Sequence, residues 1–414
     1  MAITHNDKAI PVLEPDTVPQ HGLRVLVTLS ALMAFASIST DLYLPALPVM
    51  SNSLHASAAL IALTISGYLV GFSLGQLVWG PVSDRIGRRL PVAIGLVLFI
   101  IGSTGCAESH SAGMLIAWRI VQAIGASASV VLARAMVRDL YAGYRASQIM
   151  STLMTVMAIA PLVGPILGGQ ILHFASWRAI FWLLVAVGVL TLLALYTLPE
   201  TLPPVSRNKS PISHALRDYL VLLINPRILA YAGAGGFFYA GMFAYIAGTP
   251  FAYISFYHVS PQSYGMLFGA AVLGIMATNQ LNAWQVRRFG GDRLMLVGAA
   301  IAAVAAIVLA RDAWSGAGGL VGIVLPLLMF VAMTGFIVAN SISGALNSFP
   351  KQAGAVSALV GAMQYGSGVA GSALVGLLAD GTPWPMAIVM AVMAMGCLGC
   401  AWLVGRSASV PVTA

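Results

Sequence analysis

The sequence predicts an all-α membrane protein of twelve transmembrane helices arranged as two six-helix bundles, and three observations predict it. The 414 residues are 59% hydrophobic and only 8% charged, with a mean hydropathy of +0.91, a composition foreign to soluble globular domains. Apolar runs long enough to cross a hydrocarbon core of about 30 Å recur along the chain, each ended by proline, glycine or charge. The basic residues collect in alternate turns between those runs, as the positive-inside rule requires.

In order, residues 1–23 form a polar tail with Pro11, Pro15 and Pro19. No short apolar segment with a small-residue cleavage site precedes the first span, so that span is expected to stay attached and direct its own insertion. Spans 1 to 12 are expected at 24–48, 58–81, 90–106, 113–137, 147–173, 179–198, 228–251, 260–284, 294–309, 316–343, 353–379 and 384–404. The longest polar interruption, 199–227, carries Arg207, Lys209 and Arg217 and divides the spans six and six. Residues 24–198 and 228–405 are therefore read as the two bundles, 199–227 as a cytoplasmic linker and 406–414 as a cytoplasmic tail. With both termini cytoplasmic, 17 of the 20 basic residues lie on that side, Arg178 and Arg311 lie opposite, and Arg119 is inside a span.

That distribution also accounts for the net charge of +8, so no nucleic-acid partner is expected. Cys106, Cys397 and Cys400 all lie in apolar helices, and Cys397-x-x-Cys400 reads as helix packing rather than a redox or zinc pair. Lys8, Lys209 and Lys351 follow Asp, Asn and Pro, so there is no GxxxxGK[ST] phosphate cradle and no ATP-driven pump. The histidines fall in loops or at span ends, and no nucleophile–base or metal constellation shares a depth in the spans, so neither an enzyme nor a cofactor is expected.

The turn 80–89 reads GPVSDRIGRR. Gly80 and Pro81 are expected to end span 2, Gly87 to permit the reversal, and Arg85, Arg88 and Arg89 to hold the turn on the positive side. Asp84 needs a partner there. The turn after span 8, 285–294, reads QVRRFGGDRL and sits where a second copy of 80–89 would fall. Duplicated six-helix units put a substrate site at their interface, near the bilayer midplane.

Two charges stand clear of the span ends, Asp41 in span 1 and Arg119 in span 4. An intramembrane charge costs roughly 2.5 to 3.5 kcal/mol on insertion scales and is a functional hypothesis by default. Counting residues puts Asp41 about 10 Å and Arg119 about 9 Å from the same surface, so the two are expected to pair; the alternatives are Asp41 facing water at a frayed helix end and Arg119 satisfying carbonyls of a neighbouring helix. Loss of hydration favours a neutral carboxyl and a close arginine favours a charged one. A movement that separates them would let one carboxylate couple protons to transport. One proton descending about 100 mV and about one pH unit supplies roughly 2.3 plus 1.4 kcal/mol, enough for a gradient of roughly a few hundred-fold in a neutral substrate and about tenfold in a monovalent cation.

Further strings sharpen this reading. Gly164-Pro165-Ile-Leu-Gly168-Gly169 in span 5 has a small-xxx-small face for close helix approach and a proline that bends the helix. Span 4 carries Arg119-Ile-Val-Gln122-Ala-Ile-Gly125, span 1 ends in TDLYLPALP (40–48), and LPETL (198–202) follows span 6. With the 80–89 turn, these strings resemble the major facilitator superfamily, and within it the proton-coupled drug exporters of the bicyclomycin-resistance (Bcr/CflA) family; Ala123 departs from the family's usual glycine. The resemblance implies alternating access between the bundles, with Asp84 against the start of span 11 and Arg138-Asp139 completing a cytoplasmic charge cluster that acts as a gate. It also implies that 164–169 is an antiporter motif. A cavity for lipophilic compounds needs apolar walls with a few polar groups; candidates are Tyr43, Tyr68, Gln76, Gln122, Asn279, Asn340, Gln364 and Tyr365, with Tyr239, Phe243 and Tyr245 from the aromatic-rich span 7. The expected function is proton-coupled export of small lipophilic antibacterials across a bacterial inner membrane by a monomer whose partners are substrate, protons and lipid. The alternative is the same fold carrying an amino acid, sugar or nucleoside.

Overall fold

A computed structural model describes residues 22–141, 143–207, 219–349 and 352–407. Most of the two tails and part of the linker lie outside these residues.

Twelve long helical elements cross the molecule. Among the described residues, eleven are long and apolar enough to span a membrane. The remaining one, span 11 (Ala353–Leu377), is as long but carries Ser357, Gln364, Tyr365, Ser367 and Ser372. Its chief neighbours are spans 2 and 7 (Pro226–Pro250) rather than lipid, which is why it tolerates a polar face.

Span 1 is not one helix to residue 48. It runs Leu23–Asp41, breaks, makes a tight turn at Leu44–Ala46 and resumes as Leu47–Ser53. Pro45 supplies no N–H and restricts Leu44 before it, and Pro48 opens the second segment. Asp41 is therefore the last residue of a helix, about 27 Å along it from Leu23. Span 10 is broken likewise into Gly319–Ala332 and Thr334–Ser348, and Thr278 of span 8 (Pro261–Phe289) donates its hydroxyl to the Ala332 carbonyl at the break.

Span 2 corrects the reading of Gly80 and Pro81 as terminators, since the helix runs Ala58–Ile86 straight through both. Pro81 removes the one donor that would reach the Leu77 carbonyl, a loss the helix takes without a break. Gly87 makes the reversal, with a φ of +103°.

In the first bundle span 4 (Ala112–Leu140) is central, packing on spans 2, 3 (Arg89–Ala107) and 1, while span 6 (Trp177–Leu195) lies on span 3. In the second, span 7 packs on spans 11 and 12 (Trp384–Ser407), and span 9 (Gly291–Ser315) packs on span 12. The bundles meet along two seams, span 2 on span 11 and span 5 (Gly143–Phe174) on span 8. We call the side bearing the 86–89 turn the near side and the opposite one the far side. The seams are tight toward the far side. There Ser66 and Ser372 hydrogen bond at 2.8 Å, and Gly169 and Gly265 let span 5 approach the start of span 8. Toward the near side a cavity separates the bundles.

Candidate functional site

The parted seams enclose a cavity of about 600 Å³ between the bundles. Its walls come from spans 1, 2, 4 and 5 on one side and 7, 8, 10 and 11 on the other. Tyr68, Gln76, Tyr239, Phe243, Tyr245, Asn279, Gln364 and Tyr365 line it, as the sequence suggests. Tyr239 and Phe243 each pack against Tyr365 across spans 7 and 11, with ring centroids 5.6 and 6.0 Å apart. Span 7 divides its aromatics: Phe237 points outward, Phe238 stacks on Phe330 in the second bundle's core, and Tyr239, Phe243 and Tyr245 face the cavity.

Three candidates do not line it. Tyr43 is fully buried, bonded to Thr64 at 3.2 Å. Gln122 is buried between Arg119 and Ser103. Asn340 donates to Asn282 at 2.7 Å and to the Phe336 carbonyl at 2.8 Å inside the second bundle.

Asp41 closes the deep end of the cavity. It is 4% exposed, and among the described residues its one hydrogen-bond partner is the neighbouring Thr40 hydroxyl at 3.1 Å. Arg119 does not pair with it. Its Nη1 donates to the Ser39 carbonyl at 2.9 Å and to Gln122 Oε1 at 2.6 Å, and its guanidinium lies between the rings of Tyr43 and Tyr68, 4.3 Å from each centroid. The helix break explains the choice. Ser39 is in the last turn of the Leu23–Asp41 segment, whose final carbonyls lack helical partners and attract a cation. Arg119 caps that helix end, a cation–π sandwich worth up to about 2 kcal/mol per desolvated ring holds it there, and Tyr68 stands between it and the cavity. Arg119 thus reaches Asp41 through the backbone of span 1.

The Gly164–Gly169 string packs on the same break. A Cβ at Gly164 would lie 3.1 Å from Asp41 Cβ, and one at Gly168 would fall on the Leu42 carbonyl oxygen. Pro165 lies within the unbroken span 5 helix. Gly169, on the other side, faces Pro261 of span 8. One helix therefore touches both the Asp41 turn and the seam between bundles.

On the near side Arg88, 6% exposed, is the hub. Its Nη1 meets Asp84 at 2.5 Å and the Ser83 hydroxyl at 2.7 Å, and its Nε meets Asp139 at 2.8 Å. Burial alone would disfavour its charge, but the two carboxylates outweigh that and hold its pKa above the ordinary arginine value. Asp84 thus pairs within its own turn. Arg85 and Arg138 are exposed, and Arg89 donates to the Tyr196 carbonyl at 2.9 Å. Among the described residues no hydrogen bond or ion pair joins Asp84 to span 11; its partner is Arg88.

Sequence reasoning passed over two residues. Glu200, noted only within LPETL, caps span 3: its carboxylate accepts from the backbone N–H of Arg88 at 2.7 Å, Leu202 at 3.0 Å and Arg89 at 3.1 Å. A side chain at Gly87 would collide with it, the Cβ lying 2.6 Å from Glu200 Oε2. Partial burial raises the Glu200 pKa, but the three N–H donors and Arg207 prevail and hold it below 4.5. With a depressed folded value, its contribution to stability is complete above the ordinary glutamate pKa and is lost as pH falls through the folded one. Glu200→Ala is expected to cost about 1 kcal/mol, Glu200→Gln less, both read as lowered thermal midpoints of the purified protein at pH 7. The second residue is Arg134, three residues inside the predicted end of span 4; the helix continues to Leu140, so Arg134 sits deeper than counted and lines the cavity.

The comparisons agree with this architecture. The sequence profile of the Major Facilitator Superfamily matches residues 29–372. An uncharacterised MFS-type transporter, YdgK, of Bacillus subtilis is 36% identical over 90% of this chain and 93% of its own. A bicyclomycin resistance protein homologue of Haemophilus influenzae is 29% identical over 88% and 92%, and a chloramphenicol resistance protein of Pseudomonas aeruginosa is 30% identical over 90% and 89%. Among solved structures, the xylose transporter XylE from E. coli in a partially occluded inward-open conformation superimposes with a TM-score of 0.71 at 16% identity, covering 94% of this chain and 98% of that one. The chain belongs to the Major Facilitator Superfamily.

Proposed function

We propose that this chain is a proton-coupled antiporter that exports small lipophilic antibacterial compounds across a bacterial inner membrane. The observation that carries the reading is Asp41: a carboxyl at the blind end of the cavity, with one neutral hydroxyl partner and no cation paired with it among the described residues. Charging such a group is costly, so it keeps its proton while shielded and gives it up when water or a cationic group of the substrate arrives. The relatives named for bicyclomycin and chloramphenicol resistance support a drug as cargo. The basic turns support placing the near side and both termini in the cytoplasm, so the cavity is open to the compartment from which substrate is taken. Arg88 with Asp84 and Asp139 forms the cytoplasmic gate cluster, the rigid part of span 5 transmits motion from the Asp41 turn to the seam, and the unit of transport is the monomer.

The test is accumulation by purified protein in liposomes oriented with the near side outward. An acidic interior is expected to drive uptake of chloramphenicol or a related compound, and a protonophore to abolish it. Accumulation of a sugar, amino acid or nucleoside in place of every drug tried would turn the reading toward metabolite transport.

A further inference from the structure

Among the described residues lining the cavity, two are charged, and they are of opposite sign: Asp41 at the deep end and Arg134 toward the mouth. Arg134 has no hydrogen bond or ion pair among the described residues, and its Nε is sealed from solvent without an acceptor. An anchor for lipid headgroups would point outward. This side chain instead lines the cavity together with Tyr239 and Tyr365 of the second bundle. Beside them Gln364, 2% exposed, holds an amide Nε2 that is also without an acceptor. Tyr365 lies within electrostatic reach of both Asp41 and Arg134. Buried donors without acceptors are rare because they are costly, and here two belong to residues that line one cavity.

We propose that the cavity is a two-pole receptor: Arg134, with the amide of Gln364 and the phenols of Tyr239 and Tyr365, takes the carboxylate of an amphoteric aromatic substrate whose amine meets Asp41. This deepens the exporter reading of the same cavity by naming a substrate class. A purely anionic ligand answers Arg134 but opposes discharge of the Asp41 proton. A purely cationic one displaces that proton but leaves the guanidinium unanswered. A molecule with both groups satisfies each pole, and the aromatic walls between them receive its body.

The test is calorimetric binding to the purified full-length chain at pH 7 of norfloxacin, an aryl carboxylate with a secondary amine, and of its methyl ester. The wild type is expected to bind the acid about tenfold or more tighter than the ester. Arg134→Gln is expected to remove that preference by weakening norfloxacin alone, with the ester unchanged within about twofold; Arg134→Lys keeps part of it, because a point charge lacks the guanidinium fork. Should Arg134→Gln not elute as folded protein, the double variant Gln364→Leu, Tyr365→Phe takes its place with the same expectation. Equal wild-type affinity for acid and ester, or a variant that weakens both alike, overturns the proposal. If pH-driven accumulation fails in the wild type while the Arg134-dependent preference holds, the exporter reading falls and the receptor stands; the converse overturns the receptor and leaves export intact.

Discussion

Asp41→Asn abolishes pH-driven accumulation. The substitution keeps size, shape and the Thr40 contact but cannot exchange a proton, so the gradient has nothing to act on. Uptake against a concentration gradient is expected to fall to background, a loss of about 100-fold or more given a driving force of roughly 3.7 kcal/mol per proton. Downhill exchange of labelled for unlabelled substrate continues, because the bundles still rock and the cavity is intact. The two assays on one preparation separate loss of coupling from loss of folding. Asp41→Glu, one methylene longer beside Gly164, is expected to retain coupling at a reduced rate.

The second large effect lies in span 5. At Gly168 an added side chain meets the Leu42 carbonyl, a backbone atom that cannot rotate away, so span 5 must retreat from the turn that ends in Asp41. Overpacking of this kind costs about 1 to 3 kcal/mol, and the displaced helix also carries Gly169 at the span 8 seam. Gly168→Val is expected to lower transport at least about tenfold, equivalent to about 1.4 kcal/mol of barrier, and to lower the thermal midpoint; Gly168→Ala falls between. Gly399→Ala, at a span 12 position with nothing within 4 Å of its Cβ, is the control and leaves both unchanged.

The helices and their number are legible because long apolar runs leave few alternatives, and span 11 is recognisable despite its polar face because its ends are marked. The breaks are less legible. Pro45 and Pro81 carry the same local chemistry, yet one interrupts a helix and the other does not. The difference lies in neighbours: Arg119 and Gly168 complete the Asp41 turn from other spans, whereas Pro81 sits near the end of a helix that continues only to Ile86. Residue counting gives Asp41 and Arg119 a common depth, but depth fixes one coordinate and leaves rotation about each helix axis free. Arg119 turns to the Ser39 carbonyl and two tyrosine rings. Glu200 lies 112 residues from the N–H groups of Arg88 that it caps, and no local pattern assigns a loop acid so distant a partner. Arg134 falls three residues inside the expected span end at 137, and the helix continues to Leu140.

The most direct test of Asp41 as the proton carrier is proton release on substrate binding, followed with a pH indicator in weakly buffered solution of the purified protein. Adding substrate to the wild type is expected to release protons in proportion to the sites filled, and adding it to Asp41→Asn, at concentrations shown by calorimetry to fill the sites, is expected to release none. Equal release from both proteins would contradict the account, because the proton would then come from a group other than the Asp41 carboxyl.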